Sequence, residues 1–224
     1  MQTIKEWIGI ELDPVSVTEK LVSVLGGVVS ILLIVTISQY ALHLTGSSLL
    51  IASMGASAVL LFAVPHGQLS QPWPVAAGHV FSAVIGVTCA RLIPYTPLAA
   101  ACAVGLSIGF MHQFKCIHPP GGATALTAVI GGEGVWRLGY GFVWSPVALN
   151  VLVIVTVAVA FNYLFPWRRY PASLNRRPKP VGQGEEISHE EVIAALRSLD
   201  SFVDVTEDDL VRLYQILSGK HTSK

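Results

Sequence analysis

Apolar residues run nearly unbroken in six blocks along the chain, with proline-rich turns between them, and this pattern predicts helices throughout. The first block spans about Leu21 to Leu44, apolar all round, with Lys20 at its mouth. Ser47 to Val64 follows almost at once and stops at Pro65. Val75 to Ile93 comes after a Gln71-Pro72-Trp73-Pro74 turn, and Leu98 to Phe114 after Pro94-Tyr95-Thr96-Pro97. Gly121 to Ile130 covers about ten residues, whereas a hydrocarbon core needs about twenty. Pro146 to Phe165 ends in Trp167, Arg168 and Arg169.

Composition turns this pattern into a class. Hydrophobic residues make up 52% of the 224 and charged residues 12%, half the share of a soluble chain. Between Leu21 and Trp167 the only charged side chains are Arg91, Lys115, Glu133 and Arg137. That stock cannot cover a water-facing surface, so lipid solvates this stretch. Cys89, Cys102 and Cys116 are too few, and too apolar in context, for a disulfide framework, and they read as packing residues. Met1 to Lys20 mixes both signs of charge, unlike a signal or transit peptide. A bacterial inner membrane is the simplest expected home.

Arg168, Arg169, Arg176, Arg177 and Lys179 crowd the exit of the last block, and Lys5 and Lys20 precede the first, so both termini are expected in the cytoplasm. An even number of crossings follows. Treating Ser47–Val64 and Gly121–Ile130 as re-entrant gives four and puts Arg91 inside; letting both cross gives six, at the cost of a ten-residue span. Four is preferred. Gly55-Ala56-Ser57-Ala58-Val59 matches Gly122-Ala123-Thr124-Ala125-Leu126 in character, and the same shift overlays the flanking spans. The expected fold is therefore an all-α integral membrane domain over residues 21–167. It has four transmembrane helices plus two re-entrant short helices, arranged as a parallel two-fold internal repeat of about 21–93 and 97–166. A cytoplasmic segment, 1–20, precedes it. A basic linker, 168–184, leads to a small cytoplasmic helical hairpin, 185–224, opened by a Ser188-His189-Glu190-Glu191 capping box. The acids Asp200, Asp204 and Asp208 lack the spacing and central Gly of a calcium loop.

Chemistry concentrates at Lys115-Cys116-Ile117-His118-Pro119-Pro120-Gly121-Gly122-Ala123-Thr124. Proline suits a helix start, and a helix N-terminus carries about half a positive charge, an anion site in waiting. Bare Gly121 and Gly122 would admit an anion to backbone N–H groups, with Lys115, His118 and Thr124 adding polarity. Ser53, Gly55 and Ser57 hold the corresponding place in the first repeat, and His79 is the further candidate. Irregular backbone at membrane depth survives only where protein or water satisfies it, which favours a conduit.

His118 through Ala125 resembles the signature of the HPP family of integral membrane proteins. Ser53-Met54-Gly55-Ala56-Ser57-Ala58-Val59-Leu60-Leu61-Phe62 resembles that family's other marked stretch, as do Gln71-Pro72 and Gly78-His79. The similarity covers roughly residues 15 to 170. It implies a four-spanning protein and, because some members are linked to nitrite transport, nitrite as the expected substrate. It also leads one to expect Arg after the Gln-Pro pair, where this chain has Trp73.

The expectation is thus a channel or secondary transporter for a small inorganic anion, not an enzyme, with no cofactor, metal or nucleic acid, in contact with lipids and assembled as a homo-oligomer. His43, His66 and His112 sit at span ends, and no histidine spacing matches a metal motif. Glu133 and Arg137 stand one turn apart and should pair. Two other classes stay open: an intramembrane enzyme using His79, His118 and Lys115, and a membrane sensor or anchor acting through the C-terminal hairpin.

Overall fold

The computed structural model describes residues 16–42 and 52–175, and helices are its only regular structure. The N-terminal residues before Ser16, His43, the linker beyond Asn175 and the expected 185–224 hairpin lie outside the described residues.

Four long helices and two short ones build the bundle. Helix α1, Val17–Leu42, starts behind Ser16, whose Oγ accepts the Glu19 N–H at 3.1 Å. Helix α2, Ser53–Ala63, has 11 residues. Helices α3, Pro72–Leu92, α4, Thr96–Gln113, and α5, Pro119–Ile130, each carry proline in the first turn, where its missing N–H costs nothing. A single turn, α6, covers Glu133–Trp136, and there the Glu133–Arg137 pair forms at 2.5 Å. The last long helix breaks at Ser145, whose φ of −138° and ψ of 110° leave the helical region, and resumes as α7, Leu149–Tyr163. Three segments are long and apolar enough to cross a membrane: Val17–Tyr40, Pro72–Leu92 and Val143–Tyr163. At 18 residues, α4 reaches about 27 Å.

Hydrogen bonds fix the direction of every helix. Arg168, 1% exposed, donates to Glu19 in the first turn of α1 at 2.5 Å, to Asn162 near the end of α7 at 2.9 Å and to the Phe62 carbonyl at the end of α2 at 2.6 Å. The Tyr170 hydroxyl donates to the Ser70 carbonyl at 2.8 Å, and the Ala172 N–H reaches Gln71, which caps the start of α3. Burial pushes the Tyr170 phenol up from its usual value. One end of the bundle thus gathers the start of α1, the end of α2, the start of α3 and the end of α7. Trp73 adds the end of α4 by donating its indole N–H to the Phe114 carbonyl at 3.1 Å. At the other end Ser38 of α1 meets Asn150 of α7 at 3.0 Å, and Arg91 of α3 stacks on Tyr140.

These directions correct two expectations. A re-entrant helix returns the chain to the end it left, yet α1 and α3 both run away from the Arg168 end. The chain therefore passes between α1 and α3 by way of α2, and between α4 and α7 by way of α5. Both short helices run along the bundle from its middle toward one end, so neither returns the chain to the end it left. Equivalent helices of the two repeat units also run oppositely: Ser53 and Ser57 of α2 face Thr124 and His118 of α5, so these two helices are antiparallel. Any repeat is inverted, not parallel. A half-length helix suffices because its buried end meets polar side chains and tightly packed neighbours instead of lipid.

Packing follows the same exchange. Helix α2 packs on α1 and α7, α5 packs on α4 and α3, and the two short helices touch each other. Each lies between the first long helix of its own unit and the last of the other.

Candidate functional site

Five of the nine residues singled out from the sequence converge where α2 and α5 meet. His79 and Thr124 are 0% exposed, as are His118 and Ser57, and Ser53 is 1% exposed. Ser57 Oγ lies 2.8 Å from His79 Nε2 and 2.9 Å from His118 Nε2. Thr124 Oγ1 lies 2.7 Å from His79 Nδ1 and 2.8 Å from Ser53 Oγ. His118 Nδ1 donates to the Leu69 carbonyl at 2.8 Å, and the two imidazoles stand edge to face at 4.9 Å. Among the described residues no third His, Cys, Asp or Glu joins them in a metal-sized group.

Local sequence explains the convergence. Ser53 and Ser57 are four residues apart, so they share one face of α2. His118 is the extended N-cap of α5, with φ −144° and ψ 98°, a conformation suited to the residue before Pro119. That extended backbone lets its ring reach back toward α2 while Thr124 follows on the same helix. His79 lies about two turns into α3, opposite both.

The remaining four candidates do something else. Gly121 is a contact point: a Cβ there would stand 2.5 Å from the Gly78 carbonyl oxygen and 2.8 Å from Met111 Cε. Its N–H is also spent, donating to the His118 carbonyl at 2.8 Å, while the His118 N–H points at Met111 Sδ at 3.5 Å. With Pro119 and Pro120 lacking N–H groups, the first donors of α5 are consumed, so they offer no anion cradle. Gly122 faces open space except for Val104 at 4.0 Å, and Gly55 faces open space entirely. Lys115 is exposed at a turn, with φ 52°, away from the cluster. Charge and position near a motif drew attention to Lys115, but they carry no information about direction.

Several contributors had no sequence signal. The Leu69 carbonyl belongs to the short 3-10 turn Gln68–Ser70, and only tertiary folding brings it to His118. Arg168 reads as a surface cation from sequence but is buried in an ion pair with Glu19. At the opposite end of the bundle, a cavity of about 260 Å³ opens beside Arg91, Thr96, Val129, Trp136 and Gly139.

Comparison with known proteins agrees with the membrane reading. The model of the HPP transmembrane region matches residues 12–171. A transmembrane protein of Dictyostelium discoideum is 36% identical over 177 residues, covering 76% of this chain and 57% of its own. A second from the same organism is 41% identical over 126 residues, covering 54% of this chain and 44% of its own. The chain spans about half the length of these curated relatives. No solved structure matches. A match across most of the apolar region, including both short helices and the cluster they form, makes the chain a member of the HPP transmembrane family.

Proposed function

We propose that this chain is a channel or secondary transporter for a small inorganic anion, with nitrite as the first substrate to test. The supporting observation is the antiparallel overlap of the first turns of two half-length helices around a buried cluster of hydroxyls and imidazoles. The positive ends of both helices lie within about one turn of this cluster, which favours an anion over a cation even though the first N–H groups of α5 are bonded within the chain. Among the described residues the only carboxylates are Glu19 and Glu133, and each is paired with an arginine. Selection rests on Ser53, Ser57, His79, His118 and Thr124, all of which can turn a donor toward the guest. Arg91, beside the cavity at the far end, would draw anions toward the path.

Each half-helix completes a membrane crossing in this reading, giving six crossings related by an axis in the membrane plane. The exchange of α2 and α5 between the units supports it. The pairing of Glu19 with Arg168 supports both flanks lying on one side, the cytoplasmic one by excess of Lys and Arg. A homo-oligomer in lipid and a regulatory role for residues 185–224 complete the proposal.

Ser57 between two imidazoles is also the arrangement of an activated hydroxyl, the start of an enzyme reading. That reading is weaker because neither carboxylate among the described residues, Glu19 or Glu133, is beside the imidazoles to complete a relay; each is paired with an arginine elsewhere. Nitrite uptake by proteoliposomes containing the folded chain tests the proposal. Uptake several-fold above empty vesicles is expected, and uptake equal to empty vesicles removes it.

A further inference from the structure

The hydrogens of the polar cluster can be counted, and the count does not match its contacts. Leu69 offers only a carbonyl, so His118 Nδ1 must carry a hydrogen. If that ring is neutral, its Nε2 accepts, and Ser57 must donate to it. Ser57 then has no hydrogen left, so His79 Nε2 donates to Ser57. His79 Nδ1 consequently accepts from Thr124, and Thr124 accepts from Ser53. The neutral cluster thus has a single orientation, running from Ser53 to the Leu69 carbonyl.

Two further hydroxyl contacts remain unused in that state, each to a helix carbonyl that already accepts its own i+4 backbone N–H. The Ser53 carbonyl lies 3.2 Å from Ser57 Oγ, and the Pro120 carbonyl lies 3.3 Å from Thr124 Oγ1. A proton placed on His118 Nε2 makes that nitrogen a donor and frees the Ser57 hydroxyl to swing onto the Ser53 carbonyl. A proton placed on His79 Nδ1 does the same for Thr124 and the Pro120 carbonyl. Each imidazole therefore has a neighbouring hydroxyl that yields and a helix carbonyl that receives it. Loading a proton gains a hydrogen bond and moves no heavy atom.

Resting on the anion-transport reading, we infer that this cluster is a proton-loading site and that one proton travels with each anion. The charge balance requires the pairing. A buried imidazolium without a partner is costly, and the positive ends of two helices about one turn away raise that cost. No carboxylate among the described residues can neutralise it. On α1 Glu19 is held by Arg168, and Lys20 is exposed. Helix α2 contributes only the two serines, and Arg91 of α3 lies against Tyr140 at the bundle end. His112 of α4 and Lys115 after it are exposed, and Glu133 beyond α5 pairs with Arg137. From α7, Asn162 is engaged by Arg168 and Asn150 by Ser38. The neutralising charge has to come from the anion. The proton adds to a ring-nitrogen lone pair as the anion binds, and it leaves that nitrogen when the anion departs, so the transported pair carries no net charge.

The experiment uses full-length chain in proteoliposomes, nitrite as probe, a trapped pH dye, and potassium with valinomycin to set the membrane potential. Initial rates in empty vesicles are subtracted to remove leak of nitrous acid. The expected result is nitrite entry accompanied by about one proton each, insensitive to potential, with an inward gradient of one pH unit driving about tenfold accumulation. The double variant His79→Gln/His118→Gln keeps polar groups but cannot load a proton, and it should lose the response to the pH gradient. Uptake that follows potential and acidifies nothing overturns proton loading while leaving anion transport intact. Absence of uptake in every condition removes the transport reading and this inference together. The wild-type flux ratio decides the matter even if a histidine variant fails to fold.

Discussion

The two short helices are seated by opposite means. Helix α2 is clamped between α1 and α7 by large side chains: Phe62 meets Phe161 edge to face at 5.8 Å, and Ile34, Leu61 and Ile154 fill the surrounding core. Arg168 then ties the Phe62 carbonyl to Glu19 and Asn162. Helix α5 is seated by the absence of side chains. A Cβ on Gly78 would lie 2.8 Å from the His118 Cβ, and one on Gly86 would lie 2.5 Å from the Ala125 carbonyl. Cys89, Ala99, Ala103, Ala125 and Val129 make up its small-residue core. Backbone contact fixes His118 and Thr124 against His79 without adjustable side chains, whereas Ser53 and Ser57 arrive on an element held by rotatable ones. The polar cluster therefore joins a rigid half to a more adjustable half, an arrangement that suits the proposed transport.

Substitutions that spoil one seat and spare the other sharpen this contrast. The largest loss is expected from Arg168→Met, which strands Glu19 and leaves buried acceptors unpaired. About 3–5 kcal/mol should disappear from unfolding in detergent, and Glu19→Gln in the same chain should recover part of it. Gly121→Val should come next, costing about 3 kcal/mol through collision with the Gly78 carbonyl. Ser57→Ala removes the hydroxyl shared by both imidazoles and should cost about 2 kcal/mol. At the small end, Gly122→Ala meets open space and should be neutral or stabilise by up to about 1 kcal/mol through helix propensity. Equal effects at Gly121 and Gly122 in denaturant titrations would contradict the assignment of only the first as a packing glycine.

Proline and the apolar runs made the helices legible. Every long helix starts or ends near a predicted boundary, and Ser53, Ser57, His79, His118 and Thr124 stand out in the sequence as polar groups inside apolar blocks. Direction was not legible, because a ten-residue stretch is about half of what a hydrocarbon core needs, and α2 and α5 therefore read as dips. The function of Gly121 was hidden for a related reason: a bare position admits a ligand or a neighbouring helix equally well, and only the Gly78 carbonyl distinguishes them. Lys115 shows the converse, a charge beside the right motif that faces away from it.

The inverted meeting of the two half-helices carries the whole account, and sidedness tests it most directly. Single cysteines replace Gln113, at the end of α4, and Glu133, after α5, in a chain whose native cysteines are changed to alanine; both positions are exposed. An impermeant maleimide is applied to right-side-out and inverted vesicles. Labelling of Q113C and E133C from opposite sides is predicted, because α5 carries the chain across. Labelling of both from the same side would mean that α5 turns back, and the antiparallel arrangement around the histidines would be wrong.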